Sequence, residues 1–124
     1  MLSPSQEEAV CHGSGPCLTL AGPGSGKTYV LTRRIQHLIT KGGVPPEQIL
    51  VITFTKAAAL EMKERFIGLM GQEYPVVFGT FHSVFFQILR LAYHYEVKDI
   101  ATPALKYRFL EETLNETGYG VDDK

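Results

Sequence analysis

The chain has 124 residues, a length that suits one folded domain rather than two. Apolar residues make up 44% of it, but their longest runs are far shorter than a membrane-spanning helix requires, and the N-terminus has no secretory signal. We therefore expect a cytoplasmic protein without membrane contact. The net charge of −1 excludes nucleic-acid binding through bulk positive charge, so any such contact must be local.

The N-terminal part of the chain predicts a short helix followed by a buried strand. The helix covers residues 5–11, with Ser5 as its N-cap and Glu8 as its capping-box partner. Residues 17–21 (CLTLA) form an apolar run that predicts the strand. The two cysteines, Cys11 and Cys17, have the spacing of neither a redox pair nor a zinc site, so we expect reduced, partly buried thiols.

The middle of the chain alternates between helices and strands. Residues 27–40 and 56–70 have apolar residues at helical spacing and predict two helices. The apolar side of the first contains Leu31, Ile35, Leu38 and Ile39, and that of the second contains Leu60, Phe66, Ile67 and Met70. Residues 49–54 (ILVITF) are typical of a strand buried on both faces in a parallel sheet. Residues 76–79 predict a third strand.

The C-terminal third predicts two further helices. The first begins at Phe81 and is strongly amphipathic, and we expect Phe81, Phe85 and Phe86 to lie in the core. The second has Thr102 as its cap and ends at Gly118. The alternation of strands and helices predicts an α/β fold with parallel strands and right-handed crossovers.

Residues 21–28 (AGPGSGKT) match the phosphate-loop pattern between a predicted strand and a predicted helix. The glycines allow backbone N–H groups to point at an anion, and the helix N-terminus adds roughly half a positive charge. We expect Lys27 to reach the β- and γ-phosphates and Thr28 to offer its hydroxyl to Mg²⁺, which makes these two the candidate catalytic residues. The predicted nucleotide-binding residues of this segment are Ala21, Gly22, Pro23, Gly24, Ser25, Gly26, Lys27 and Thr28.

Polar and aromatic residues follow the second and third predicted strands, where ligands gather in parallel sheets. Thr53, Phe54 and Thr55 lie at the end of one strand, and Thr80 and His82 at the end of the other. An exposed Phe54 would stack on a nucleic-acid base, and Thr55 and Thr80 would bind phosphate oxygens without adding charge. Two alternatives stay open, since Phe54 would also suit the core and His82 a purely structural position.

Four blocks in register resemble the superfamily 1 DNA helicases of the UvrD/Rep/PcrA type. LSPSQEEAV is similar to the Q motif, AGPGSGKT to motif I, ILVITFTKAAALEMKER to motif Ia and VVFGTFHSVFFQILR to motif Ib. The resemblance covers roughly residues 2–92. It implies an incomplete, RecA-like P-loop NTPase lobe with three αβα layers that uses ATP and Mg²⁺ and binds single-stranded DNA.

The resemblance also implies roles for individual residues. Gln6 would read the adenine edge, and Arg34 corresponds to the arginine of the helix after the phosphate loop. DNA would contact Thr53, Phe54, Thr55 and Thr80, with His82 between the DNA and ATP sites. Two positions depart from the pattern. Lys56-Ala57 replaces an Asn-Lys pair, and Tyr29 replaces an arginine and is a candidate for stacking on the nucleotide.

Domain boundaries and missing parts follow from the same resemblance. Residues 1–95 correspond to the N-terminal part of helicase domain 1A, and residues 96–124 to the start of the helical 1B insertion. No apolar strand ends in Asp-Glu, and Asp122 and Asp123 are poor Mg²⁺ ligands in polar sequence. We therefore expect the N-terminal piece of a longer enzyme, without turnover of its own. An open sheet edge predicts self-association or marginal stability.

The leading functional interpretation is the ATP-binding start of an ATP-dependent DNA helicase that translocates on single strands in repair, recombination or replication. A close alternative is the helicase subunit of a helicase–nuclease complex. Two other classes carry phosphate loops: small-molecule kinases, for which no substrate lid is evident, and non-catalytic nucleotide- or DNA-binding modules. The complete Gly26-Lys27-Thr28 sequence argues against a loss of nucleotide binding.

Overall fold

The computed structural model describes residues 1–118, so Asp122 and Asp123 lie outside the described part. Its helices and strands are, in chain order, α1 (Pro4–Cys11), α2 (Lys27–Thr40), β1 (Leu50–Thr53), α3 (Lys56–Met70), β2 (Val77–Thr80), α4 (Phe81–Tyr93) and α5 (Pro103–Thr117). Two short 3₁₀ turns lie at Pro46–Gln48 and Val97–Asp99. The chain divides into two compact units, Met1–Phe85 and a second from Phe86 onward, and α4 spans the boundary.

The sheet of the first unit confirms the predicted parallel pairing. β1 and β2 run parallel, in a register from Leu50 opposite Val77 to Thr53 opposite Thr80. Helix α3 connects them and packs against both strands, while α2 packs against α3. Parallel strands need such a crossover, because a tight turn would reverse the chain. The first unit is therefore a mixed helix–strand structure, compatible with an incomplete α/β lobe.

The predicted strand at residues 17–21 is not formed. Leu18 and Leu20 are 85% and 87% exposed, and the segment has no regular secondary structure. A strand is stabilised by hydrogen bonds to a neighbouring strand. Within residues 1–118, β1 and β2 pair with each other and nothing pairs with this segment, so the described sheet has two strands rather than three.

The core of the first unit gathers around one aromatic ring. Phe66 of α3 is only 1% exposed and clusters with Ile35 of α2, Ile49 and Val76. Ile49 and Val76 immediately precede the two strands, so their contacts with Ile35 and Phe66 pack the start of the sheet against α2 and α3. The partly buried residues packed around this cluster are Leu38, Ile39, Val44, Val51, Met70, Tyr74 and Phe78.

The buried sides of two elements differ from the prediction. Helix α3 buries Ala59 and Met62 together with Phe66, whereas Leu60 is exposed. Leu31 of α2 is exposed as well, and Thr32 is buried in its place. Thr32 is tolerated there because its hydroxyl donates hydrogen bonds to the carbonyls one turn earlier. Leu50 is also exposed, so β1 is not buried on both faces.

Helix ends agree with the prediction where the local signals are strong. Thr102 caps α5 and Gly118 ends it in the left-handed conformation, as predicted. The cap of α1 is Ser3 rather than Ser5, and Gln6 rather than Glu8 completes the capping box. Proline suits the first helical position, and here Pro4 begins the helix, which moves the cap to Ser3.

Two expectations about burial are wrong. Phe81 and Phe85 of α4 are exposed rather than in the core, and Phe86 is half-buried. Val84 is the buried residue of this helix. The other apolar residues on its amphipathic face stay exposed because the described part of the chain provides no surface to cover them. Cys11 and Cys17 are free but exposed rather than partly buried.

No helix among residues 1–118 is both long enough and apolar enough to cross a membrane.

Candidate nucleotide and nucleic-acid sites

The glycine loop leads directly into the N-terminus of α2. Gly24 and Gly26 have φ angles of 72° and 81°, a conformation that favours glycine. Gly26 is the N-cap of α2, and no side chain in residues 1–118 caps this helix. The first backbone N–H groups of α2 therefore lack the usual side-chain acceptor. Free N–H groups and the helix dipole at this position suit an anionic ligand.

Lys27, the first residue of α2, holds its ammonium group over the start of the loop. Its Nζ donates to the carbonyl of Gly22 at 2.8 Å and to that of Ala21 at 3.4 Å. The N–H of Ser25 also donates to Gly22, at 3.3 Å, which closes the turn. The loop thus concentrates one positive charge and several backbone donors, with the half-buried Thr28 next along the helix.

A cavity of about 510 Å³ lies beside this loop, and we call it the loop cavity. Six predicted nucleotide residues line it: Gln6, Ala21, Gly22, Ser25, Lys27 and Arg34. The other lining residues are Ser3, Ser5, Ala9, His12, Cys17, Thr19, Leu20, Val30 and Leu31, so the lining contains no carboxylate. A lysine, uncapped helical N–H groups and a lining without acidic side chains fit a polyphosphate.

Gln6 connects α1 to the loop through both ends of its side-chain amide. Its Nε2 donates to the carbonyl of Ser25 at 2.9 Å, and its Oε1 accepts from the N–H of Ser3 at 2.9 Å. The Q-motif pattern identified the residue, but not this bridge between α1 and the loop. Gln6 therefore ties the glycine loop to the start of α1.

Arg34 fastens the end of α1 to α2. One guanidinium nitrogen donates to the carbonyls of Val10, at 2.8 Å, and of His12, and the other donates to Gly13 at 3.4 Å. These carbonyls belong to the last turn of α1 and the residues after it, where a positive charge is favourable. Arg34 lines the loop cavity, but its described hydrogen bonds go to the last turn of α1 and to the two residues that follow it.

Replacing Arg34 with alanine is expected to lower the free energy of unfolding by about 1.5–3 kcal/mol, since hydrogen bonds to a charged group would be lost. Urea denaturation followed by circular dichroism measures this change. The control is Arg65→Ala, because Arg65 forms an exposed pair with Glu61 on α3 and should contribute less than about 1 kcal/mol. Equal losses in the two variants would contradict the fastening role.

Tyr29 does not line the loop cavity. Its ring lies against Arg33, whose guanidinium carbon is 5.2 Å from the ring centroid. Both residues line a second cavity on another face of α2. The predicted stacking of Tyr29 on a nucleotide therefore gains no support from its position.

The residues at the carboxyl ends of β1 and β2 come together as the parallel register requires. Thr53 lies opposite Thr80, and the ring centroid of Phe54 is 6.0 Å from that of Phe81. Phe54 is 92% exposed, so its ring face is open to solvent. His82 is exposed at the start of α4. Phe54 is thus available as a stacking platform.

The threonine hydroxyls at this edge are used to build the turns. Thr55 caps α3 by accepting from the N–H of Ala58 at 3.1 Å. Thr80 is 7% exposed, and its hydroxyl accepts from the N–H of Ser83 at 3.2 Å, which shapes the start of α4. The signal that could have revealed these roles is local: Ala58 and Ser83 each lie three residues after the threonine whose hydroxyl they contact, the spacing of a capping interaction.

Comparison with known proteins identifies the relatives of this chain. Residues 2–116 match the model of the UvrD/REP helicase N-terminal domain. The chain is 52% identical over 90 residues to ATP-dependent DNA helicase UvrD1 of Mycobacterium tuberculosis and 50% identical over 90 residues to ATP-dependent DNA helicase PcrA of Staphylococcus epidermidis. It is also 49% identical over 92 residues to the putative ATP-dependent DNA helicase YjcD of Bacillus subtilis. These matches cover 71–72% of this chain and 12% of each relative.

Proposed function

Because the chain belongs to the UvrD/REP helicase N-terminal domain family, we propose that it is the ATP-binding part of a DNA helicase that moves along single-stranded DNA. The observation that carries this proposal is the loop cavity, which Lys27 lines at the uncapped N-terminus of α2. Hydrolysis by the whole enzyme would supply the energy for movement. The exposed Phe54, directly after β1, would provide a surface for the DNA strand.

In the proposed nucleotide site, each residue has a role that its chemistry supports. Lys27 would exchange its bonds to the Gly22 and Ala21 carbonyls for bonds to phosphate oxygens, while the N–H groups of the loop and of α2 donate to the same anion. Thr28 would offer its hydroxyl to Mg²⁺. Bound ATP supplies a phosphoryl group that can be transferred to water. Gln6 would hold the loop and, on the adenine side, accept and donate hydrogen bonds.

In the proposed DNA site, the ring of Phe54 would stack on a base, and His82 would lie beside it on α4. The DNA would pass beside three threonines, Thr53, Thr55 and Thr80. Their main role would be to fix the turns that present Phe54 and His82. Stacking depends little on base identity, because every base has an aromatic face. The site would therefore bind single strands without a sequence preference.

Replacing Phe54 with alanine should weaken single-strand binding about 5- to 150-fold, which corresponds to about 1–3 kcal/mol for one stacked base. The ring is exposed, so the fold should be unaffected. Fluorescence anisotropy with labelled oligothymidylate and a mixed-sequence strand measures the change. Tyr107→Ala removes another exposed aromatic ring, on α5, and should have no effect. Unchanged binding by Phe54→Ala would assign Phe54 to the covered surface of a larger protein.

We also propose that this chain self-associates in isolation. The sheet has only two strands in the described part, and Leu18 and Leu20 leave apolar surface exposed beside the loop. Light scattering should give an average mass that rises with concentration above that of the 13.8 kDa monomer. The double variant Leu18→Asp/Leu20→Asp should remain monomeric over the same range. A concentration-independent monomer for the unmodified chain would contradict this prediction.

A further inference from the structure

A second cavity, of about 550 Å³, lies on another face of the α1–α2 pair. We call it the basic cavity, and its lining consists of Met1, Leu2, Val10, Tyr29, Arg33, Gln36, His37, Thr40 and Lys41. It shares no residue with the loop cavity. The proposed ATP-binding function therefore leaves this cavity without a role.

The basic cavity carries a row of nitrogen-bearing side chains along α2 and at its C-cap, Lys41. Arg33, His37 and Lys41 follow one another at intervals of four residues, which is about 6 Å along a helix axis for each step. No aspartate or glutamate lines the cavity, although the chain as a whole has a net charge of −1. The arrangement is therefore a local, elongated site for negative charge on a slightly acidic protein.

Arg33 is held in place but is incompletely satisfied. Its guanidinium lies against the ring of Tyr29, and one terminal nitrogen donates to Gln36 Oε1 at 3.0 Å. Its Nε is buried and has no acceptor among residues 1–118. The planar guanidinium suits phosphate oxygens, to which it can donate two hydrogen bonds.

We propose that the basic cavity is a second binding site for single-stranded nucleic acid, separate from the edge of the sheet. Arg33 and Lys41 contact successive parts of the phosphate backbone, and His37 lies between them. Tyr29, which is 37% exposed, offers its ring to a base beside Arg33. Two separated cations, Arg33 and Lys41, beside an aromatic ring favour a strand with repeated phosphates over a single phosphate group.

The test uses the complete chain carrying Lys27→Ala, so that the loop cavity does not compete for phosphate. Labelled oligothymidylate is titrated at several salt concentrations, with and without the further change Lys41→Ala. Removal of one phosphate contact should reduce the slope of log affinity against log salt by about 0.7 and weaken binding about fivefold at 0.1 M salt. Lys106→Ala removes the same charge from α5 and serves as the control. Arg33→Lys, which keeps the charge but loses the planar guanidinium, should also weaken binding.

Three results would overturn the proposal. Lys41→Ala and Lys106→Ala could have the same small effect, which would indicate only general charge. Lys41→Ala could leave the salt slope unchanged while Phe54→Ala weakens binding, which would confine the strand to the sheet edge. Inorganic tripolyphosphate could bind to the Lys27→Ala chain as tightly as the oligonucleotide and depend equally on Lys41, which would identify a site for free phosphate. If Lys41→Ala weakens binding and Phe54→Ala does not, the basic cavity stands and the proposed sheet-edge site fails.

Discussion

Replacing Lys27 with alanine is expected to abolish ATP hydrolysis by the helicase proposed to contain this chain. It should also weaken ATP binding by this chain about 10- to 150-fold, since hydrogen bonds to a charged group are worth about 1.5–3 kcal/mol. Lys27 brings its positive charge to the carbonyls of Gly22 and Ala21, at the mouth of the loop cavity. Loss of one preorganised charged or polar donor typically costs about two to three orders of magnitude in rate. A fluorescent ATP analogue measures binding, and phosphate release measures turnover.

The controls for Lys27 separate binding from folding. The side chain is exposed, so Lys27→Ala should keep the circular dichroism spectrum and the unfolding midpoint of the unmodified chain. Lys106→Ala should bind the nucleotide normally. Lys27→Arg keeps the charge but changes its shape, and it should restore little activity, because a guanidinium does not replace a compact ammonium group. DNA-stimulated turnover by Lys27→Ala would refute the assignment of the loop cavity to ATP.

Replacing Phe66 with alanine is expected to lower the free energy of unfolding by about 3–5 kcal/mol. The ring is 1% exposed and packs against Tyr74 and Phe78, with centroids 6.2 and 5.9 Å away. A loss of this size approaches the whole stability of a small domain, so the variant should be largely unfolded at room temperature. Urea titration followed by circular dichroism measures it.

The matched control lies on the same helix. Leu60 of α3 is 57% exposed, so Leu60→Ala should cost less than about 1 kcal/mol. The pair of variants tests which side of α3 faces the core, a point on which helical spacing alone was wrong. Comparable losses from the two substitutions would place Leu60 in the core and contradict the described packing.

Local signals predicted the helices and the parallel strand pair well. α3 occupies residues 56–70 as expected and ends at Gly71, and Thr102 and Gly118 bound α5. Such signals act over three or four residues and need no distant partner. The strand predicted at residues 17–21 failed because pairing depends on a neighbour that the sequence pattern does not specify. The side of α4 that is buried was mispredicted for the same reason, since Phe81 and Phe85 find no covering surface among residues 1–118.

The order of motifs identified the residues around the loop, but not what they touch. Gln6 meets Ser25 across 19 positions of sequence, and Arg34 meets Val10 across 24. Contacts of this kind depend on how α1 and α2 pack, which periodicity does not specify. The position of Tyr29 beside Arg33 was equally hidden, because a residue after the loop can point to either side of the helix.

The two hydrogen bonds of the Gln6 side-chain amide make the stability of the first turn of α1 and that of the glycine loop depend on each other. A molecule that takes over this amide from Ser25 and Ser3 would loosen the start of α1 at the same time. By linkage, the factor by which this molecule shifts the fraying equilibrium of α1 equals the factor by which fraying of α1 changes the affinity for the molecule. Accelerated amide exchange at residues 3–7 would then report that this molecule occupies the site beside the loop.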